Sequence, residues 1–177
     1  MTLLSRRVLH EGRIGSFGID RVELPSGRHT TLEVLRHPGA AAAVVFIGPD
    51  TIVLLRQYRH AAGGWLWEIP AGRLDPGERD RPERCAHREL KEETGCTAAT
   101  MRPLLSIVTT PGFSDEVIHL FQATGLTRGA HAREPDEFME LHELPMSEIR
   151  KMIQDNEITD AKTLAGLLFV QCYISTS

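Results

Sequence analysis

Three glutamates are crowded into five residues of the segment RELKEETGC, residues 88–96. On a helix, Glu92 and Glu93 lie three and four positions after Glu89, so that all three carboxylates project to one side. Such a run is typical of a solvated charged face, on which nearby Arg and Lys side chains reduce the repulsion. The alternative is a ligand cluster for a hard divalent cation such as Mg²⁺, which takes oxygen ligands and leaves open positions for phosphates. The surrounding residues decide between the two.

The composition indicates one domain without a strong charge bias. With 177 residues, the chain is long enough to bury a hydrophobic core without disulfides or metals. Acidic residues outnumber basic ones by 24 to 20, and no block of Lys and Arg stands out. The sequence therefore predicts no nucleic-acid partner. A chain of this charge that binds phosphates is expected to use a metal.

The cysteines and the N-terminus predict a soluble, cytoplasmic protein. Three cysteines, Cys85, Cys96 and Cys172, form no CxxC pair, and their odd number favours a reducing compartment over a disulfide scaffold. The N-terminal segment MTLLSRRVLHEG lacks a sustained apolar stretch, and no apolar run approaches about 20 residues. We therefore expect no membrane partner. The eight histidines show no spacing typical of a zinc site.

Strand-like segments alternate with turns, and helical patterns lie in the middle and at the end. RIGSFGIDRVEL and RHTTLEVLRH predict an antiparallel hairpin or meander within residues 5–37. AAAAVVFI and TIVLLRQYR are predicted to begin the main sheet, and WLWEIPAG is predicted as a short strand ended by Pro70 and Gly72. Later strands are expected in MRPLLSIVTT, EVIHLFQATGL and FMELHEL, and helices in PERCAHRELKEETG, PMSEIRKMIQDN and TDAKTLAGLLFVQCYI. This order predicts an α/β (α+β) fold in which helices sandwich a mixed sheet.

The segment from Gly72, GRLDPGERDRPERCAHRELKEETGC, resembles the Nudix box. That motif is a Gly, five residues, a Glu, seven residues, Arg-Glu, an apolar residue, any residue, Glu-Glu, any residue, a Gly and an apolar residue. Its places are taken by Gly72, Glu78, Arg88, Glu89, Leu90, Glu92, Glu93, Gly95 and Cys96. Nine residues, 79–87, stand where the motif has seven. We place the two extra residues in the loop before Pro82, where they affect the position of Glu78 but not the carboxylate spacing on the helix.

The resemblance implies a site for Mg²⁺, which Mn²⁺ can replace. Glu89 and Glu93 would be direct ligands together with the carbonyl of Ala71, and Glu92 would ligate or orient a second ion. Arg88 would pair with a neighbouring carboxylate and hold the loop; the alternative for Arg88 is a surface ion pair of little energetic value. Structural roles in the box would fall to Gly72, Glu78 and Gly95.

Three further stretches resemble the ADP-ribose pyrophosphatase branch of the Nudix superfamily, namely LLRQYR before WEIPAG, then TTPGFSDE and EITDAKTLAGLL. By this comparison Arg59 would contact the substrate, and Glu116 would lie near the terminal ribose. The alternative for Arg59 is an arginine that only caps a strand end. Residues 1–37 would serve dimerisation, and residues 38–177 would form the Nudix hydrolase domain. The implied assembly is a homodimer.

The implied reaction is hydrolysis of ADP-ribose to AMP and ribose 5-phosphate. A carboxylate must accept a proton from the attacking water, and in this branch it lies on a loop well after the box. The acidic segment EPDEFMEL offers Glu137, with Glu134 as the alternative. The same box would serve a pyrophosphatase of ADP-glucose or GDP-mannose. A Nudix-fold sensor that binds ADP-ribose without cleaving it also remains open, although such modules usually lose box carboxylates.

Overall fold

The computed structural model describes residues 1–129 and 139–174. Within these ranges the chain forms ten strands and three α-helices. The strands are β1 (Thr2–Gly12), β2 (Gly15–Glu23), β3 (His29–Arg36), β4 (Ala40–Phe46), β5 (Thr51–Arg59), β6 (Gly64–Glu68), β7 (Ala71–Arg73), β8 (Cys96–Val108), β9 (Val117–Arg128) and β10 (Met139–Pro145). The helices are α1 (Pro82–Thr94), α2 (Met146–Gln154) and α3 (Ala161–Tyr173).

Seven strands form the central sheet. Five of them follow the order β10-β5-β4-β9-β8, while β6 pairs with β5 and β7 pairs with β4. The β4–β9 pair is parallel and the other pairs are antiparallel. The predicted mixed sheet is therefore confirmed.

Strand β4 lies inside the sheet and is buried on both faces. Ala42 and Val44 belong to a core with apolar residues of α2 and α3. Ala41 and Ala43 point the other way, into a core shared with α1. Helices thus cover both faces, which explains why β4 is an unbroken apolar run rather than an alternating one. In the part of the chain that the structure describes, no helix is long and apolar enough to cross a membrane.

The N-terminal strands form a separate antiparallel sheet in the order β1-β2-β3. The predicted meander is present, but its first strand begins at Thr2, and almost every residue of that strand is exposed. The sheet is attached to the main body at the end of β3. There the N–H of Leu35 donates to the carbonyl of Phe113 at 2.8 Å, and the N–H of Asp115 donates to the carbonyl of Leu35 at 3.3 Å.

The short strand predicted in WLWEIPAG is present as β6, but the prediction missed a second strand, β7, after Pro70. The segment forms two strands that pair with different neighbours, β6 with β5 and β7 with β4. Pro70, which has no N–H to donate to a ladder, lies between them. The chain changes partners at this point, and this change brings β7 next to α1.

Candidate active site

Helix α1 carries the carboxylates of the motif. Pro82 occupies its first turn, where a backbone N–H has no helical partner in any case. Gly95 ends the helix with a φ of 72° and donates its N–H to the carbonyl of Lys91. The side that packs on the sheet includes Cys85, Ala86 and Leu90. This packing fixes the rotation of the helix and therefore the direction of its carboxylates.

Arg88 is the centre of the ion-pair network on α1. Its Nη1 donates to Oε1 of Glu89 at 2.5 Å and to Oε2 of Glu92 at 3.1 Å. Its Nη2 donates to Oε2 of Glu78 at 3.1 Å and to the carbonyl of Arg73 at 3.0 Å. The structure thus brings three box carboxylates to one guanidinium, which offsets their mutual repulsion. The same guanidinium ties the loop before α1 to the helix.

Both partners of the Arg88–Glu78 pair are held in their charged forms. Burial alone would lower the pKa of Arg88, but the hydrogen bonds and charges of Glu78 and Glu89 raise that pKa above its ordinary value. Burial would likewise raise the pKa of Glu78. The hydrogen bonds from Arg88 and from the backbone N–H of Asp75 outweigh this effect and hold the pKa of Glu78 below its ordinary value.

Glu93 and Glu89 are the carboxylates that face β7. Oε2 of Glu93 accepts a hydrogen bond from the N–H of Ala71 at 3.0 Å, and Glu93 is only 3% exposed. The carboxylate of Glu89 packs so closely on Gly72 that a Cβ at that position would overlap it. A glycine is therefore required where the backbone of β7 meets the helix.

Cys85 is a contributor to this contact that sequence reasoning missed. Its Sγ lies 3.4 Å from the carbonyl oxygens of Gly72 and Arg73, to which it donates. Burial, and then the charge of Glu89, raise the pKa of the Cys85 thiol to about 12. The thiol therefore keeps the proton that it donates. Cys85 lies three residues before Arg88 on the same helix, and this spacing is the one feature of the sequence that could have indicated its contact with β7.

The donor set at α1 and β7 fits Mg²⁺. The carboxylates of Glu89 and Glu93 are hard oxygen donors of the kind that Mg²⁺ prefers, and the backbone of Ala71 lies directly beside Glu93. Within residues 1–129 and 139–174, no three His, Cys, Asp or Glu side chains are already grouped in metal-binding geometry. Glu89 and Glu92 are instead bonded to Arg88. A bound ion would compete with this arginine for the carboxylates.

Arg59 lies at the end of β5 and pairs with Glu68 of β6. Its Nε donates to Oε1 of Glu68 at 2.7 Å, and its Nη2 donates to Oε2 at 2.8 Å. Glu68 raises the pKa of Arg59 through these hydrogen bonds and its charge, and the charges of Glu93 and Asp160 add to the effect. The guanidinium therefore lies within electrostatic reach of the buried carboxylate of α1.

Two residues that support Arg59, namely Glu68 and Lys162, were missed by sequence reasoning. Burial would raise the pKa of Glu68, but Arg59 and Lys162 together hold that pKa below its ordinary value. Lys162 lies 94 positions away in the sequence, so no local pattern could have joined the two.

Glu116 follows the turn between β8 and β9 and has different neighbours. Its Oε2 accepts from Oγ1 of Thr109 at 2.8 Å, and its Oε1 lies 3.3 Å from Nδ1 of His37. The adjacent Asp115 accepts from Nη1 of Arg36 at 3.1 Å and from the N–H of His37 at 2.8 Å. The N-terminal sheet thus holds the segment that carries Glu116. The other two acids proposed from the sequence, Glu137 and Glu134, lie outside the described residues.

Comparison with known proteins places these observations in a family. The NUDIX domain matches residues 36–167. The methanol dehydrogenase activator of Bacillus methanolicus is 40% identical over 165 residues, which cover 92% of this chain and 88% of that protein. The ADP-ribose pyrophosphatase of Bacillus subtilis (strain 168) is 35% identical over 170 residues, which cover 95% of this chain and 91% of that protein.

A solved structure shares the fold. The crystal structure of an ADP compounds hydrolase matches with a TM-score of 0.81 at 21% sequence identity, covering 96% of this chain and 91% of that one. The domain match spans more than half of the chain and includes all of α1 and β7. This chain therefore belongs to the NUDIX family.

Proposed function

We propose that this protein is a Mg²⁺-dependent pyrophosphohydrolase that cleaves ADP-ribose to AMP and ribose 5-phosphate. It is a hydrolase that acts on a diphosphate bond, as its family and the names of its relatives support. The observation that carries the proposal is the buried carboxylate of Glu93 held against β7 by the N–H of Ala71, beside the Glu89 carboxylate on Gly72. A sensor without catalysis would not need this intact set.

The residues of the site divide into holding, binding and proton-accepting groups. Glu89, Glu93 and the Ala71 carbonyl would hold Mg²⁺, which when bound would neutralise negative charge on the diphosphate. Arg88 holds the loop and orients the carboxylates of Glu89 and Glu92. Glu92 would ligate or orient a second ion.

Arg59 is proposed to donate to the diphosphate oxygens, because a guanidinium fits phosphate geometry and lies within reach of the charge of Glu93. Glu116 is proposed to bind near the terminal ribose. Glu137 is proposed as the base that accepts the proton of the attacking water, with Glu134 as the alternative.

A substrate panel tests the proposal. The purified protein is given ADP-ribose, ADP-glucose, GDP-mannose or a dinucleoside polyphosphate with Mg²⁺ or Mn²⁺, and a phosphatase is added to release phosphate from any monoester product. Preferred hydrolysis of ADP-ribose supports the proposal, and preference for a nucleotide sugar supports the second candidate. Binding of ADP-ribose without hydrolysis would identify a sensor.

We further propose a homodimer formed through residues 1–37, with residues 38–177 as the hydrolase domain. Several large apolar side chains of β1 are about half exposed, including Leu3 at 53%, Val8 at 50% and Leu9 at 49%. A sheet of three strands buries little apolar surface by itself. A partner subunit would cover the exposed apolar side chains of β1. No nucleic-acid or membrane partner is proposed.

A further inference from the structure

A chain of four alternating charges runs from the end of β5 to the start of α3. It begins with the bidentate pair of Arg59 and Glu68. Oε2 of Glu68 also accepts from Nζ of Lys162 at 2.5 Å, and the same Nζ donates to Oδ2 of Asp160 at 2.9 Å. The position of Arg59 therefore depends on a residue of helix α3.

The inner members of this chain are removed from solvent, since Glu68 is 2% exposed and Lys162 is 9% exposed. Burying an ion pair carries a desolvation cost that an apolar contact would avoid, so such a pair is weak grounds for a purely stabilising role. The start of α3 is also attached through the hydroxyl of Thr163. Oγ1 of Thr163 accepts from the N–H of Ile69 at 2.9 Å and donates to Asp160 at 2.6 Å.

The outer member of the chain, Arg59, is open to solvent. Glu68 engages Nε and Nη2 of Arg59, and Nη1 takes no part in this pair. The Arg59 side chain is 42% exposed, in contrast to the 3% of its partner. The charge of Glu93, the buried carboxylate of the proposed metal site, adds to the interactions that raise the pKa of Arg59. A guanidinium fixed along one edge presents its remaining N–H groups in one direction.

We propose that Glu68 and Lys162 are positioning residues that fix the Arg59 guanidinium for the diphosphate of the substrate. The proposal rests on the proposed function and adds a residue of α3, far from the box in sequence, to the determinants of substrate affinity. Lys162 holds one oxygen of the Glu68 carboxylate, and the fixed carboxylate in turn orients two donors of Arg59.

The decisive variant is Lys162→Met, which keeps the length of the side chain and removes its charge. Glu68 then loses one of its two cationic partners, and the orientation of Arg59 is no longer fixed. We expect KM for ADP-ribose to rise about tenfold while kcat changes by less than about twofold, because the carboxylates of α1 are untouched. Calorimetric titration with ADP in the presence of Mg²⁺ should show a loss of affinity of about the same size.

Two further variants separate positioning from folding. Thr163→Val removes the hydroxyl that bonds to Ile69 and to Asp160, but it leaves all four charges and the contacts of Lys162, Glu68 and Arg59 in place. It should therefore lower Tm and leave KM and ADP affinity at wild-type values. Glu68→Asp keeps the charge and draws the carboxylate back by one methylene group. It should raise KM as Lys162→Met does, and it serves as the test if Lys162→Met does not fold.

The outcomes distinguish this inference from the proposed function. Wild-type KM and ADP affinity in folded Lys162→Met or Glu68→Asp would overturn the inference and leave the proposed function intact. An equal rise of KM in Thr163→Val would also overturn it, because the effect would then belong to the attachment of α3. A wild-type protein that hydrolyses no diphosphate would reject the proposed function instead, while the ADP titration would still test the positioning.

Discussion

Arg88 donates from Nη2 to Oε2 of Glu78 at 3.1 Å, across ten positions of sequence that include the two extra residues. The pair closes the loop between β7 and α1, so the longer loop still places a carboxylate at the guanidinium. Asp75 is a looser neighbour, with its Oδ2 3.5 Å from Nε of Arg88 and a side chain that is 53% exposed. Glu78 and Asp75 thus form a natural comparison.

Glu78→Gln should lower kcat by about tenfold, at the lower end of the losses typical of residues that support metal ligands. The amide keeps the size of the side chain but loses the charge that fixes Arg88. Asp75→Asn should change kcat very little, because its contact with Arg88 is long and exposed. Steady-state kinetics with ADP-ribose measure both, and equal losses would contradict a specific role for Glu78.

Glu93→Gln should reduce kcat by about a thousandfold or more, because it removes a charged metal ligand and leaves the volume of the side chain unchanged. Glu89→Gln should behave similarly. The unfolding transition followed by circular dichroism should remain cooperative in both. Near wild-type turnover of Glu93→Gln at saturating Mg²⁺ would show that this carboxylate is not a ligand.

Stability should fall in acid partly through Glu68. Its pKa in the folded protein is below the ordinary value of 4.5, so its pairing contributes stability that is fully present above that pH and is lost as pH falls through the folded pKa. At pH 7 Glu68→Gln should cost about 3 kcal/mol of unfolding free energy, because Lys162 is left without its closer partner. Urea denaturation at several pH values should show this difference shrinking below pH 4.5. A constant difference down to pH 3 would contradict the assignment.

The N-terminal segment should be needed for both assembly and activity. Light scattering at micromolar protein should give the mass of a dimer. Removal of residues 1–37 should leave a poorly soluble or inactive protein, because β3 anchors residues 113–116 through Leu35 and Arg36. A monomeric mass for the full chain, or full activity of the truncated one, would contradict the proposal.

The parts of the fold that could be predicted from the sequence are those with local signals. Pro82 and Gly95 mark the ends of α1, and the spacing of Glu89, Glu92 and Glu93 places them on it. The buried run of β4 is equally plain. The ends of α1 and the burial of β4 therefore follow from residues that are close together in the sequence.

The remaining features depend on pairings between distant residues. Nothing in WLWEIPAG shows that its two halves belong to different strand partners, because the division follows from where β4 and β5 lie. The Glu68–Lys162 pair spans 94 positions, and Asp115 meets Arg36 across 79. Such contacts require the folded sheet, so the sequence predicted Arg59 and Glu116 without the residues that hold them.

The choice between Glu137 and Glu134 as the base is the last point that kinetics can decide. Both lie outside the described residues, shortly before β10, whose first residue Met139 is buried and pairs with Gln57 of β5. Glu137 precedes Met139 by two positions in the sequence, and Glu134 precedes it by five. This closeness in sequence to a fixed strand favours Glu137 over Glu134.

Glu137→Gln should lower kcat by about two to four orders of magnitude with little change in KM, because a general base acts in the chemical step and not in substrate binding. Glu134→Gln is the matched control, since it makes the same change three residues earlier. A large loss only in Glu134→Gln would move the base to that residue, and small losses in both would remove the segment from the chemistry. Retained ADP affinity in the impaired variant, measured by calorimetry, would show that the lost function is proton transfer.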